Sequence, residues 1–308
     1  MLERVKELLE QHGISKNQPL PITNGASGAF VFDIDGKYIA KYARKPERDT
    51  KIYNMFVNEY NFYQLYSGKC YDFIPNVVFQ TANQDEIFIV MQKYTAINHN
   101  EWNDDLQKRA MQLCARINSI NIDNFNTVLQ DKSGYGSDYD TYPLTVSFEN
   151  WRLLQNKFPE HIDAALLNSM YEDFTAINLY AEQLPIPKTL CHGDFHPQNF
   201  LMDCGKLLIC DWQTVGIGRG ISDVAFFISR GSDMGVPINQ NMLIEEYHKS
   251  MLKFTDEKIE LSDFYKNVAA SDFFVSFKFW AEHLQSSDIS RVLSIYNSMV
   301  NSYKILTH

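Results

Sequence analysis

Residues 190–212 gather side chains able to move protons and hold cations: His192, Asp194, His196, Asn199 and Asp211. In "HGDFHPQNF" Asp194 and Asn199 stand five apart, and Asp211 follows seventeen residues after Asp194 in "LLICDW". Asp, Asn, Gly and Pro are also what turns use. A bare turn, though, has no need of two carboxylates, an amide and two imidazoles between apolar flanks. Phosphoryl transfer does need such a set. One carboxylate takes or orients the proton of the attacking hydroxyl, while an amide oxygen and a second carboxylate hold Mg²⁺ against phosphates. Pro197 stiffens the loop. Residues 200–202 and 206–210 read as a short hairpin turned at "DCG", which would return Asp211 to the side of Asn199.

The flanking elements must position these groups. Residues 1–12 read as an amphipathic helix, with Leu2, Val5, Leu8 and Leu9 on one face and Gly13 as its stop. Three antiparallel strands are expected at about 19–24, 28–34 and 37–43, with a hairpin signal at Asp35-Gly36. A helix is expected over 51–68, then a second hairpin over 76–94. From Asn98 on, the pattern is mainly helical. The polar stretch 121–142 reads as a loop or insertion, and Asp223 in "GRGISDVAFFI" reads as a helix N-cap and loop brace, not a catalytic group. In "DFFVSFKFWAEHL", Phe273, Phe277 and Trp280 form a stripe that is more simply core than substrate wall. The expected fold is α+β and bilobal. A small antiparallel lobe with one helix spans 1–95, and a larger helical lobe spans 96–308, with a cleft between them.

The 308 residues are 45% hydrophobic and carry a net charge of −10, which argues against a nucleic-acid binder. Five cysteines without a CxxC fit neither a disulfide framework nor a zinc site. The start "MLERVKELLEQHG" lacks the apolar run of a signal peptide, and the apolar runs are too short to span a bilayer. A cytoplasmic protein with no membrane partner is the expectation.

The stretch His192-Gly193-Asp194-Phe195-His196-Pro197-Gln198-Asn199, followed by Ile209-Cys210-Asp211-Trp212, resembles the catalytic loop of the aminoglycoside phosphotransferase and choline kinase superfamily. That family has a protein-kinase-like fold, and its pattern is H-G-D-x-x-x-x-N and then an aspartate ending a short strand. The likeness spans about residues 20–230. It implies that Asp194 is the catalytic base and that Asn199 and Asp211 bind Mg²⁺. His192 would brace the loop, and His196 would face the phosphates or the substrate hydroxyl. "NGASGAF", with Ser27 and Gly28, takes the place of the nucleotide-covering loop, although alone it is an ordinary hairpin turn. Lys41 takes the place of the phosphate-binding lysine, although an isolated strand lysine is usually solvated. Glu59, with Phe62 and Tyr63, matches the helix glutamate that pairs with it. Met91 would back the nucleotide pocket, and backbone groups of residues 92–94 (Gln92, Lys93, Tyr94) would meet the purine edge.

The implied activity is an ATP- and Mg²⁺-dependent O-phosphotransferase, with GTP as the other donor to test. Its acceptor would be a hydroxyl of a small, cationic or neutral molecule: an aminoglycoside-type antibiotic, or choline, ethanolamine or another small alcohol. A protein kinase is disfavoured, since "DWQ" stands where D-F-G would and no A-P-E follows. A non-catalytic kinase-like nucleotide binder is the alternative outside enzymes.

Overall fold

The computed structural model describes residues 1–22, 30–48, 50–66, 71–122, 142–254 and 259–307. Ser27, Gly28 and most of the polar stretch 121–142 lie outside them. The chain forms two compact units that interleave in sequence. One is Met1–Trp102 with His192–Val215, the other Asn103–Cys191 with Gly216–His308.

The first unit begins with α1 (Leu2–Gln11), capped at His12 and followed by Gly13. There φ is +66°, and the N–H groups of Gly13 and Ile14 bond back to the carbonyls of Glu10 and Leu9. Five strands follow: β1 (Leu20–Ile22), β2 (Phe30–Ile34), β3 (Tyr38–Arg44), β4 (Val77–Ala82) and β5 (Glu86–Gln92). They form one antiparallel sheet in the order β1-β2-β3-β5-β4. The Asp35-Gly36 turn has positive φ at both residues, as the expected tight hairpin requires. Helix α2 (Lys51–Tyr66) connects β3 to β4.

Strand alternation divides the sheet's side chains. Phe32, Ile34, Ala40, Tyr42, Phe88 and Val90 pack with Val5, Leu8 and Leu9 of α1 into one buried core. Residues of the other parity, Ile39 and Lys41 paired with Met91 and Ile89, point to the opposite face. A second small sheet joins Thr95–Ala96, Phe200–Asp203 and Lys206–Ile209. Its hairpin turns at Cys204-Gly205, both at positive φ, where the "DCG" signal placed it.

The second unit is helical, apart from a two-stranded pair, Lys188–Cys191 with Gly216–Arg219. Its core includes Trp151, Phe174, Phe273, Phe277 and Met299. The aromatic stripe is thus core at Phe273 and Phe277. The stretch Ser276–Trp280 is a π-helix. Loosening there leaves carbonyls for neighbours: the Trp151 indole donates to Phe277 O and the Ser147 hydroxyl to Lys278 O. The helix Ile221–Asp233 starts on Gly220, so Asp223 is not its N-cap but sits in its first turn, 2% exposed. A Cβ at Gly220 would stand 2.4 Å from Asn118 Oδ1, which is why the chain turns into the helix on glycine there. Among the described residues no helix is long and apolar enough to cross a membrane.

Candidate active site

Lys41, Glu59, Asp194, Asn199 and Asp211 all belong to the first unit. β3 presents Lys41 on the face away from α1. Its Nζ lies 2.8 and 3.1 Å from the two Glu59 carboxylate oxygens and 2.9 Å from Asp211 Oδ1. Glu59 is fully buried on α2. Burial opposes the Lys41 ammonium, but the Glu59 and Asp211 charges outweigh it and hold Lys41 charged, well above the ordinary lysine range. Burial pushes the Glu59 carboxyl up, while Lys41 pulls it down. A two-oxygen contact to an ammonium needs the carboxylate ionised, so the pair reads as an ion pair with Asp211 as second anion. Asp211 adopts the left-handed region, φ +67° and ψ +59°. Asp is one of the few side chains that sit there at modest cost, and such strain clusters at functional sites.

The loop from His192 to Asn199 closes on itself. Asn199 Nδ2 donates to Asp194 O at 2.8 Å and to Asp194 Oδ2 at 3.0 Å. The Asp194 N–H donates to His192 Nδ1 at 3.2 Å, which leaves His192 Nε2 to donate to Cys210 O at 3.0 Å. Burial holds His192 down, to about 4, so this brace is a neutral ring. Gly193 is at φ +82°, and a Cβ there would stand 2.4 Å from the Thr214 carbonyl oxygen. The Thr214 hydroxyl also donates to His192 O. Burial pushes the Asp194 carboxyl up, but hydrogen bonding and charge from His196, with His192 and Asn199, leave it below its ordinary value. It is therefore a carboxylate, 34% exposed, able to accept a proton.

Asn199 and Asp211 come together as the hairpin reading required: the Cys210 N–H donates to Asn199 O at 2.9 Å. The Asn199 amide nitrogen is spent on Asp194, which leaves the amide oxygen as its ligand atom. Together they offer two hard oxygen groups. That fits Mg²⁺, which keeps waters and phosphate oxygens for its other positions. Among the described residues no cluster of three or more His, Cys, Asp or Glu makes a dedicated metal cage.

The remaining predicted residues are less uniform. Met91 is 3% exposed on the same face as Lys41. The N–H groups of Gln92 and Lys93 are taken by the carbonyls of Asn76 and Lys37. A purine edge would have to use this stretch's carbonyls or the Tyr94 N–H. The Tyr94 hydroxyl instead accepts from the Asn76 N–H. His196 lies within the loop, and both its ring nitrogens have partners there. Three contacts went unread in sequence: Lys41 with Asp211, Asn58 Nδ2 donating to the Gln213 and Val215 carbonyls, and Phe62 stacked on Trp212 with centroids 4.0 Å apart. The last two dock α2, with Glu59, onto the segment after Asp211.

A sequence model of the family described as "phosphotransferase enzyme family" matches residues 129–253, which contain the whole loop and Asp211. No curated protein matches the chain in sequence. Solved structures match over nearly the full length at low identity. An amicoumacin kinase in complex with AMP-PNP and Ca²⁺ is 13% identical with a TM-score of 0.63, covering 100% of this chain and 98% of that one. Spectinomycin phosphotransferase with ADP and spectinomycin is 15% identical with a TM-score of 0.59, covering 99% and 97%. A choline/ethanolamine kinase family protein from Mesorhizobium loti is 12% identical with a TM-score of 0.57, covering 99% and 94%. The chain has the protein-kinase-like fold of these enzymes, and residues 129–253 carry the family's sequence pattern.

Proposed function

We propose that this chain, similar to the phosphotransferase enzyme family in the sequence of residues 129–253 and in fold along its length, phosphorylates a hydroxyl of a small molecule with ATP and Mg²⁺. The observation that carries the reading is the pairing of Lys41 with both Glu59 and Asp211, in the unit where Asn199 grips Asp194. A merely structural ion pair would not need three such charges, one of them an aspartate held in the left-handed region.

Lys41 presents a fixed positive charge to phosphate oxygens, with Glu59 setting its direction. Asn199 and Asp211 would hold Mg²⁺, which when bound neutralises phosphate charge. Asp194 Oδ2 carries the Asn199 contact and faces His196, and among the described residues no donor is placed on Oδ1. Oδ1 is thus the oxygen that takes the acceptor's proton. As the acceptor oxygen bonds to the γ-phosphorus, the bond to the β,γ-bridging oxygen breaks, its electron pair leaves with ADP, and the proton passes through Asp194 to solvent. Positioning and charge supply most of the rate. The antibiotics named in the similar structures make aminoglycoside-like and other polyhydroxylated amines the first acceptors to try. Choline and ethanolamine come second.

The test is ADP release with Mg·ATP against a panel of aminoglycosides, spectinomycin-type aminocyclitols, choline, ethanolamine and simple sugars. One acceptor class should stimulate release, and D194N should lower kcat about a thousandfold while ATP still binds. Equal release by D194N and wild type would remove Asp194 from the role of base. ATP binding without release across the panel would favour a silent nucleotide binder.

A further inference from the structure

We infer that His196 is a positioning residue for Asp194, pinning one carboxylate oxygen so that the other is aimed at the acceptor; this rests on the phosphotransfer reading above. Three observations carry it.

First, both ring nitrogens are engaged inside the loop. The Gln198 N–H donates to His196 Nδ1 at 3.3 Å, capping the single turn Pro197–Asn199. An Nδ1 that accepts cannot carry the proton, so the proton sits on Nε2. Second, Nε2 lies 3.4 Å from Asp194 Oδ2, the oxygen that Asn199 Nδ2 also approaches at 3.0 Å. Asn199 donates to Oδ2, and the His196 ring nitrogen stands against the same oxygen. A carboxylate held this way cannot rotate about its Cβ–Cγ bond without losing both contacts, and Oδ1 keeps its lone pairs. Third, the ring is enclosed. His196 is 8% exposed, beside the fully buried Phe195 and a buried Pro197.

The side chain therefore joins two jobs. Its Nδ1 shapes the turn that delivers Asn199, and its Nε2 steers Asp194. The sequence resemblance implies a ring facing the phosphates or the substrate hydroxyl; the loop partners of both ring nitrogens favour positioning instead.

Two conservative variants separate the jobs. H196N keeps an acceptor where Nδ1 stands and loses the donor at Nε2. H196Q places an amide donor at the Nε2 position and loses the cap. Positioning predicts that H196N lowers kcat about 10- to 100-fold with the KM for Mg·ATP within about twofold, since small misplacements of a reacting group cost rates of this order. H196Q should recover about tenfold over H196N. A structural cap alone predicts the reverse order, and that result would overturn the role. So would a KM for Mg·ATP that rises in both variants with kcat intact, which is the signature of a phosphate contact.

A second readout does not depend on turnover. A long-range ¹H–¹⁵N spectrum of the wild-type imidazole should show Nε2 protonated and Nδ1 bare, and D194A should shift the Nε2 resonance. An Nδ1–H tautomer would overturn the inference even in an active enzyme. A wild type that shows the Nε2–H ring but releases no ADP with any acceptor would sink the phosphotransfer reading itself, and with it this role. Activity in wild type with H196N unchanged would sink the role alone.

Discussion

The two faces of the five-stranded sheet are made from alternate residues of the same strands, yet they are built on opposite principles. Toward α1, β3 sends Ala40 and Tyr42 and β5 sends Phe88 and Val90, all 3% exposed or less, into a core that burial alone can explain. On the other face the same two strands send Lys41, Ile89 and Met91, and the lysine is held by two carboxylates, one of them fully buried. Desolvating such charges is costly, and well-packed apolar residues would often be as stable. One face therefore stores stability, while the other gives some of it up to hold a charge in place.

The largest effect expected from breaking this contrast is at Lys41. K41M should lower ADP release about a thousandfold, the order lost with a preorganised charge at a reacting group. It should also lower Tm, because it strands Glu59 in the interior. Adding E59Q should restore Tm and leave turnover low. If turnover returned as well, the Lys41 face would be structural and the contrast would fail. F88A is the mirror experiment. It should cost about 3–4 kcal/mol in denaturant unfolding, as buried Phe→Ala changes do, while the folded fraction keeps its kcat. A selective loss of kcat would mean that the α1 face is coupled to the chemistry.

A smaller effect is set by pH. The His192 ring takes up a proton near 6.5 when unfolded but only near 4 when folded. Acid therefore favours the unfolded chain across that window, and stability should fall by about 3 kcal/mol between pH 6.5 and pH 4 from this group. H192Q should flatten the slope over that range; an unchanged slope would assign it to other groups. The smallest effect is at the rim of the α1 face, where Arg4 donates to Glu86 at 2.7 Å. The Arg4 hydrogen bond outweighs burial and lowers the Glu86 pKa. The contact thus contributes at neutral pH and is lost as pH falls through the depressed Glu86 value. Arg4 is 39% exposed, so R4M should cost at most about 1 kcal/mol at neutral pH in moderate salt. Its difference from wild type should vanish in acid. A penalty as large as that of F88A would mean that the pair anchors α1 and does not merely trim it.

Much of this was legible where the signal is local. The "DG" and "DCG" turns set the hairpins. The motif spacing brought Asn199 to Asp194 and Asp211 back beside it. Lys41 and Glu59 lie 18 residues apart on a strand and the helix after it, close enough for pattern reading to pair them. The contact of Lys41 with Asp211 spans 170 residues, and only the assembled unit shows it. The π-helical stretch has no composition signal, since Ser276–Trp280 reads as a continuous helix. Asp223 misled because aspartate is a common cap, but the crowding of Gly220 by Asn118 decided where that helix starts. The role proposed for His196 turns on ring orientation, which residue type and spacing do not carry.

Gly193 has no side chain to contribute, yet it stands between His192 and Asp194. Its backbone is turned into the left-handed region, and the Thr214 carbonyl fills the volume any side chain would need. In a saturation-mutagenesis map scored by activity, position 193 should be as intolerant as Asp194, with alanine already failing. Selection would thus guard the absence of a side chain as strictly as the presence of one, and a reader of that map would have to learn that the two silences have different causes.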